Sequence, residues 1–375
     1  MLKEVQAKLP AMVAMLGEIV EMESPSDDKA HVDRLIEKLD VLAQQRGGAT
    51  QVIELPERGN HLRVEWGKGE EQLLVLCHID TVWDVGEAKK RPFRVEGDKA
   101  FGPGAFDMKC GTVMTMFAME HLVSLGWPLS TRVVALFNSD EEIGSLTSRE
   151  LIEQEARKSK AVLVLEPAIA PKGSLKTARK GVGRFDMKIE GVAAHSGSAP
   201  QNGASAVQEL ARQVLWLHSL TDYDKGTTVN VGVVKGGTRS NVVAAEAHAQ
   251  IDLRAVTVAE AERIVPLILG TKAETPGTKV TVTGGLNRPP MERTEAIVAM
   301  YRTAERIATE LGIEVSEGMT GGGSDGNFTA ALGIPTIDGL GAVGDGAHAA
   351  HEFLYVSKMA ERTALLIRLL EELGK

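Results

Sequence analysis

Apolar residues recur along this chain in two different rhythms. Near the N-terminus Val5, Leu9, Met12, Leu16 and Ile19 stand three or four positions apart, which predicts an amphipathic helix, while Lys3, Glu4 and Glu18 interrupt any continuous apolar run. From Gln51 to Ser139 the rhythm shortens: QVIEL, HLRVEW and QLLVLCHID read as strands, Lys109 to Leu125 as a Met-rich helix, and TRVVALFNSD as another strand. AVLVLEP at 161–167 adds a further buried strand, and residues 294–373 return to helical periodicity around a short strand, IPTID. β-rich runs separated by helices predict an α/β layer fold whose sheet is largely buried.

The segment from Gly181 to about Arg288 has another order. RFDMKIEG reads as a strand, 203–220 as a helix, TTVNVGVVKG and AAEAHAQIDLR as two strands, 256–270 as a helix and TKVTVTGG as a last strand. This β-α-β-β-α-β succession is the ferredoxin-like plan of a small independent α+β unit. The expected organisation is therefore a discontinuous main domain, residues 1–180 and 289–375, with residues 181–288 inserted. At 375 residues, two domains also suit the length.

Composition narrows the function classes. With 43% apolar and 25% charged residues the chain is an ordinary folded protein, without a charged or low-complexity tail. Its two cysteines, Cys77 and Cys110, form neither a disulfide framework nor a CxxC motif and read as small buried hydrophobes. No run approaches the ~20 apolar residues that span a bilayer, and no signal peptide is visible, so a cytoplasmic protein without a membrane partner is expected. A formal net charge of −9 argues against nucleic acid, which needs clustered Lys and Arg. An anionic substrate would have to be caught by local arginines.

The chemistry-bearing residues stand at strand ends. LLVLCHIDTV stops at His78 and Asp80, two positions apart and so on one face; one can bind a metal while the other supports it, or His78 is an ordinary strand-end histidine. In FGPGAFDMKCG a glycine-rich loop delivers Asp107 to the start of a helix, where it is a ligand or a helix N-cap. FNSDEEIGS closes an apolar strand with Asp140, Glu141 and Glu142, a solvated loop or a ligand-bearing sheet edge. Glu166 follows the apolar run VLVL, where burial is costly unless the acid is paired or binds a cation. GDGAHAAHE offers His348 and His351 in a Gly/Ala-rich loop before the last helix, where the other reading of either is an exposed loop histidine. Together these positions supply an all-N/O ligand set, which suits zinc, manganese or cobalt in a hydrolytic site better than a structural zinc finger.

The series HxD, GxGxxDMK, DEExGS, VLEP, AAHSG, RSN, TGGGSD and GAH resembles the aminoacylase/carboxypeptidase superfamily of di-zinc metallopeptidases, in order and over nearly the whole chain, and is most similar to the carboxypeptidase G type of glutamate carboxypeptidase. The resemblance implies a zinc-exopeptidase-like catalytic domain with a central mixed sheet flanked by helices, and an inserted dimerisation domain. It implies two Zn2+ per subunit, with Co2+ or Mn2+ as substitutes. His78, Asp107 and Glu166 would hold one ion, Asp107, Glu142 and His348 the other, with Asp107 bridging. Glu141 matches the general base and Asp80 the carboxylate behind the HxD histidine. In the inserted unit His195 matches an oxyanion-stabilising histidine that reaches the neighbouring subunit of a homodimer. Asn241 and Arg254 resemble substrate contacts, and Arg288 the arginine for the substrate carboxylate, a role suited to a planar guanidinium. The glycines around Gly322 would let backbone amides approach the same group; a phosphate cradle is the other reading of such a loop, but no GK[ST] follows. KGSLKTARKG departs from the carboxypeptidase G pattern, leaving Lys176 and Arg179 as further candidates for substrate contact.

Three functions are weighed. The first is hydrolysis of the amide before a C-terminal acidic amino acid in a small peptide or N-acyl amino acid. The second is an N-acyl amino acid deacylase of the acetylornithine or succinyl-diaminopimelate type. The third is a non-catalytic peptide-binding member, disfavoured because every ligand position and Glu141 are present.

Overall fold

Strand Glu71–His78 is buried from Gln72 onward, and its side chains part into two sets. Leu73, Val75 and Cys77 join one apolar cluster; Leu74 and Leu76 join another. The neighbouring strand repeats the division, with Val133, Ala135 and Phe137 on one face and Val134 and Leu136 on the other. A period of two with both faces apolar is what a sheet covered on each side requires. The computed structural model describes residues 1–126 and 131–375. Its central sheet has six strands, in the order Ala49–Ile53, His61–Trp66, Thr131–Asn138, Glu71–His78, Ser159–Val164 and Thr336–Ile337. The sheet is mixed: Glu71–His78 runs parallel to both neighbours, and His61–Trp66 pairs antiparallel with Thr131–Asn138 and Ala49–Ile53.

Helices Leu2–Glu21, Cys110–Ser124 and Val356–Leu373 pack together over one face. Cys110–Ser124 is buried around nearly its whole circumference, which explains its run of methionines and small residues in place of an amphipathic stripe. Helix Arg149–Arg157 covers the other face through Ile152 and Ala156. In the first helix Val5, Met12, Leu16 and Ile19 are buried and Leu9 is half-buried, so the N-terminal periodicity reads the buried face correctly. Among the described residues no helix is long and apolar enough to cross a membrane.

The register of the parallel strands positions the chemistry. His78 pairs with Asn138, and Leu76 with Val164, so all three strands end at one edge of the sheet. The next residues of each, Ile79 and Asp80, Ser139 to Glu142, and Leu165 and Glu166, emerge side by side there, where α/β sheets place ligands. A separate four-stranded sheet pairs Phe353–Tyr355 with Lys99–Phe101, joining the segment after His348 to the one that leads into Asp107. These short strands have too few residues to show a periodicity, and the sequence does not announce them.

The chain divides into two compact units. One comprises Met1–Ala178, Arg293–Thr320 and Ser324–Lys375; the other comprises Arg179–Glu292 with Gly321–Gly323. The second unit runs strand Gly181–Glu190, helix Ala206–Ser219, strands Thr228–Gly236 and Glu246–Ala255, helix Val258–Leu269 and strand Lys279–Arg288. Its sheet is antiparallel throughout, with the strands Thr228–Gly236 and Lys279–Arg288 at the edges, and it has its own apolar cluster. This unit is wider than 181–288. Arg179 pairs through its backbone with Met291, and its guanidinium donates to the carbonyls of Gly322, at 3.1 Å, and Gly323, at 3.0 Å.

Candidate metal centre and the residues around it

At the sheet edge His78, 2% exposed, lies with its Nε2 3.2 Å from Asp107 Oδ1 and 3.5 Å from Glu166 Oε1. The other oxygen of Asp107 faces a second imidazole: His348 Nε2 is 3.4 Å from Asp107 Oδ2 and 3.1 Å from Glu142 Oε2. His78, Asp107 and Glu166 therefore form one convergent group and Asp107, Glu142 and His348 another, each with its ligand atoms within 4.8 Å of one another. Around a tetrahedral cation with bonds of ~2.0–2.1 Å, adjacent donor atoms stand roughly 3.3–3.4 Å apart. The observed separations, 3.1 to 3.5 Å, bracket that edge length, so the donor set fits a pair of cations that share Asp107.

Electrostatics agree with such a fit. Burial alone would lower the His78 pKa, but hydrogen bonds to Asp107, Asp80 and Glu166 hold it well above the usual histidine range. Burial would raise Asp107, yet its hydrogen bonds with His348 and His78 prevail and hold it far below the carboxylate range. Hydrogen bonds to Asp107 and Glu142 push His348 up to about 11 against the effect of burial. Glu142 is pushed up to about 7, by burial first and by the Asp107 charge, with the His348 hydrogen bond opposing. A cluster this rich in carboxylate draws positive charge to itself, as protons on its imidazoles or as metal ions.

Asp107 is not a helix cap. It sits at φ −115° and ψ 100° in the irregular turn before Cys110–Ser124, whose N-cap residue, Lys109, makes no side-chain cap. The three acids of the DEE run separate by role. Asp140 is buried and accepts from Thr147 N and Oγ1 and from Ser148 N and Oγ, which fastens the turn. Burial raises its pKa, and those hydrogen bonds overcome the effect and hold it low. Glu142 turns to His348. Glu141 is half-buried, and its amide donates to Asp80 Oδ1 at 3.2 Å.

Asp80 does more than support a ring. The closest contact of His78 Nδ1 is the Asp80 carbonyl, at 3.0 Å, with Oδ1 at 3.5 Å. That contact makes Nδ1 a donor, so Nε2 is the nitrogen that faces the acids and would give its lone pair to a bound metal. The Asp80 carboxylate also accepts from the amides of Glu141 and Glu142 and from Ser26 Oγ. Lys176 is buried with Nζ 3.9 Å from Glu166 Oε2.

Residues 74–372 match the model of peptidase family M20/M25/M40. The chain belongs to this family. It is a hydrolytic enzyme of metallopeptidase type. It is 34% identical over 320 residues to carboxypeptidase G2 of a Pseudomonas species, covering 82% of this chain and 75% of that one. It is 25% identical over 325 residues to acetylornithine deacetylase of Myxococcus xanthus, covering 80% of each. The fold superposes on the aminopeptidase PepT of Bacillus cereus with a TM-score of 0.75 at 23% identity, over 98% of this chain and 99% of that one.

Two further groups of expected site residues lie in the second unit of this M20 chain. Arg288, 4% exposed, packs against Gly323, where an added Cβ would come within 2.7 Å of its Cδ. Arg254 donates to the Gly321 carbonyl at 3.2 Å and holds Asp252 through Nε and Nη2. With Arg179, these arginines gather about the glycine loop that contains Gly322. His195 and Asn241 form the other group: both are exposed, and Ser196 N donates to the Asn241 carbonyl. His195 Nδ1 accepts from the amides of Gly197 and Ser198, both at 3.1 Å, which places the ring hydrogen on Nε2 as a donor.

Sequence reasoning missed several supporting groups. Ser24 and Ser26 follow the first helix and bond to Ile79 O and Asp80 Oδ2; their signal is the polar ESPS break at the end of an apolar period. Glu352 is 2% exposed and accepts from Gly104, Phe106 and Asp107 amides. Its only signal is an acid placed directly before the apolar strand FLY.

Proposed function

We propose that this protein is a two-metal exopeptidase that hydrolyses the amide bond before a C-terminal acidic amino acid of a small peptide or N-acyl amino acid. The observation that carries this reading is Asp107, whose two oxygens face two different histidine–carboxylate groups. Two Zn2+, for which Co2+ or Mn2+ can substitute, would be held by His78, Asp107 and Glu166 and by Asp107, Glu142 and His348. When bound, such a pair supplies Lewis acidity toward the scissile carbonyl and a water of lowered pKa.

The chain's own groups do the rest. Glu141 follows a strand end fastened by Asp80 and Asp140, and its carboxylate takes the proton of the attacking water and returns it to the leaving amine. Asp80 keeps the His78 ring in the tautomer that offers Nε2. Arg288 reads the substrate's carboxylate, with amides about Gly322 and the side chains of Arg254 and Asn241 as further contacts. His195 Nε2 is the donor for the developing oxyanion, supplied across a homodimer formed by the inserted domain. Likeness to carboxypeptidase G2 and the arginines around residues 321–323 support an acidic product.

A deacylase is the second reading, favoured by the likeness to acetylornithine deacetylase. A zinc-supplemented panel of N-acyl-glutamate, N-acyl-aspartate, N-acyl-leucine, N-acetylornithine and N-succinyl-diaminopimelate separates them. Release of glutamate or aspartate in preference to leucine is expected. Faster deacylation of ornithine or diaminopimelate would transfer the assignment, and no hydrolysis of any member would end both. Glu141→Gln is expected to lower kcat by ~10²–10⁴-fold with metal content unchanged.

A further inference from the structure

Glu352 is a buried carboxylate whose donors are all uncharged. Its Oε1 accepts from Phe106 N at 2.9 Å and Asp107 N at 3.1 Å; its Oε2 accepts from Gly104 N at 3.0 Å and Trp83 Nε1 at 3.1 Å. One side chain thus grips the loop that presents Asp107, including the amide of Asp107 itself. The same residue also closes the turn that carries His348: Ala349 N bonds to Gly346 O, and Glu352 N bonds to Ala349 O. His348 stands at φ 61°, a left-handed conformation that a non-glycine residue keeps only when its surroundings hold it there. Trp83 adds to that hold, since Arg91 stacks on its ring at 4.1 Å and donates to Ala350 O at 3.3 Å.

We propose that Glu352 is the positioning residue that sets the spacing of Asp107 and His348, and so completes the second of the two metal-ligand groups. This inference rests on the two-metal reading above and assigns Glu352 no contact with substrate. The first group depends on it less, because His78 and Glu166 are fixed by the central sheet, at the ends of Glu71–His78 and Ser159–Val164. Glu142 belongs to the sheet edge in the same way. In the second group, by contrast, Asp107 and His348 both lie on segments that Glu352 joins.

The acceptor pattern explains why a carboxylate is needed. Each oxygen takes N–H donors, so a glutamine, with one oxygen and one NH2, would turn an N–H toward one pair of them whichever way it faced. Glu352→Gln keeps the length of the side chain and removes this match.

The full-length protein is stripped with chelator and titrated with Zn2+ in competition with a chromophoric chelator, and the metal-free form is followed by thermal unfolding. The parent is expected to bind two equivalents. Glu352→Gln is expected to bind the first within a few-fold of the parent and the second ~10–100-fold more weakly. Trp83→Phe, which removes one donor from Oε2, should show the same selective loss to a smaller degree, and decides the matter if Glu352→Gln does not fold. Parent-like binding of both equivalents, or an equal loss of both together with a lower unfolding temperature of the metal-free protein, would overturn the proposal. A parent that binds fewer than two ions would overturn the two-metal reading itself.

Discussion

At His348 a bound metal ion and a proton would compete for one nitrogen. Hydrogen bonds to Asp107 and Glu142 push this imidazole up to about 11, and those to Asp107, Asp80 and Glu166 hold His78 well above its usual value despite burial. Both rings are therefore drawn toward the doubly protonated imidazolium near neutral pH in the metal-free protein, whereas a ligating imidazole must give up one of its two protons to offer a lone pair. Zinc uptake is expected to release protons, and its affinity to rise with pH by about tenfold per unit for each proton displaced. Calorimetric titrations in buffers of different ionisation enthalpy measure that number; a heat that does not change with the buffer would contradict it. The candidate ligands were legible in the sequence because each is an acid or histidine that interrupts an apolar run or a glycine-rich loop. Glu352 and Ser26 were not, because the polar break and the lone acid that mark them do not say which distant groups they bond to.

Among elements, strand ends and tight loops carry the candidate site. The parallel register of His78 with Asn138 and of Leu76 with Val164 brings three loops to one edge, so candidate ligands 88 positions apart in the chain, His78 and Glu166, become neighbours. The glycine loop divides in a way the motif TGGGSD does not show. An added Cβ at Gly321 or Gly322 meets nothing within 4 Å, whereas at Gly323 it falls 2.7 Å from Arg288 Cδ and 3.0 Å from Val182 Cγ2. Gly321→Ala is expected to change stability by less than about 0.5 kcal/mol. Gly323→Ala should displace Arg288 and raise KM for the acidic substrate, with metal content unchanged. Steady-state kinetics and metal analysis of the two variants provide the comparison, and equal KM values would break the link between Gly323 and Arg288.

Over the whole molecule, buried histidines couple stability to pH apart from catalysis. His61 is 1% exposed; its Nδ1 accepts from Ser139 N at 3.2 Å, and its Nε2 lies 3.0 Å from Thr147 Oγ1. Burial lowers its pKa below 6.5, outweighing the charges of Asp140, Asp80 and Asp325. A folded value below the unfolded one means that the unfolded chain takes up the proton first. The stability that neutral His61 supports is thus present above pH 6.5 and lost as pH falls from there toward the folded pKa. Urea unfolding of the parent and His61→Gln at several pH values below and above this point should show a shallower acid decline in the variant; parallel profiles would remove His61 from the account. The two units keep separate apolar clusters, so the second unit's core does not draw on the sheet that carries the candidate ligands.

The sequence by itself determined the layer architecture and the βαββαβ succession, because apolar periodicity is a local property read over a few residues. It also named the residues able to bind metal, since each is an acid or an imidazole set against an apolar run or a glycine-rich loop. Only the tertiary structure decided which of those residues meet, because that depends on strand register and on contacts between segments far apart in the chain. The same holds for Glu352: its partners at Gly104 to Asp107 lie some 245 positions away, and no local pattern encodes a hydrogen bond across that distance.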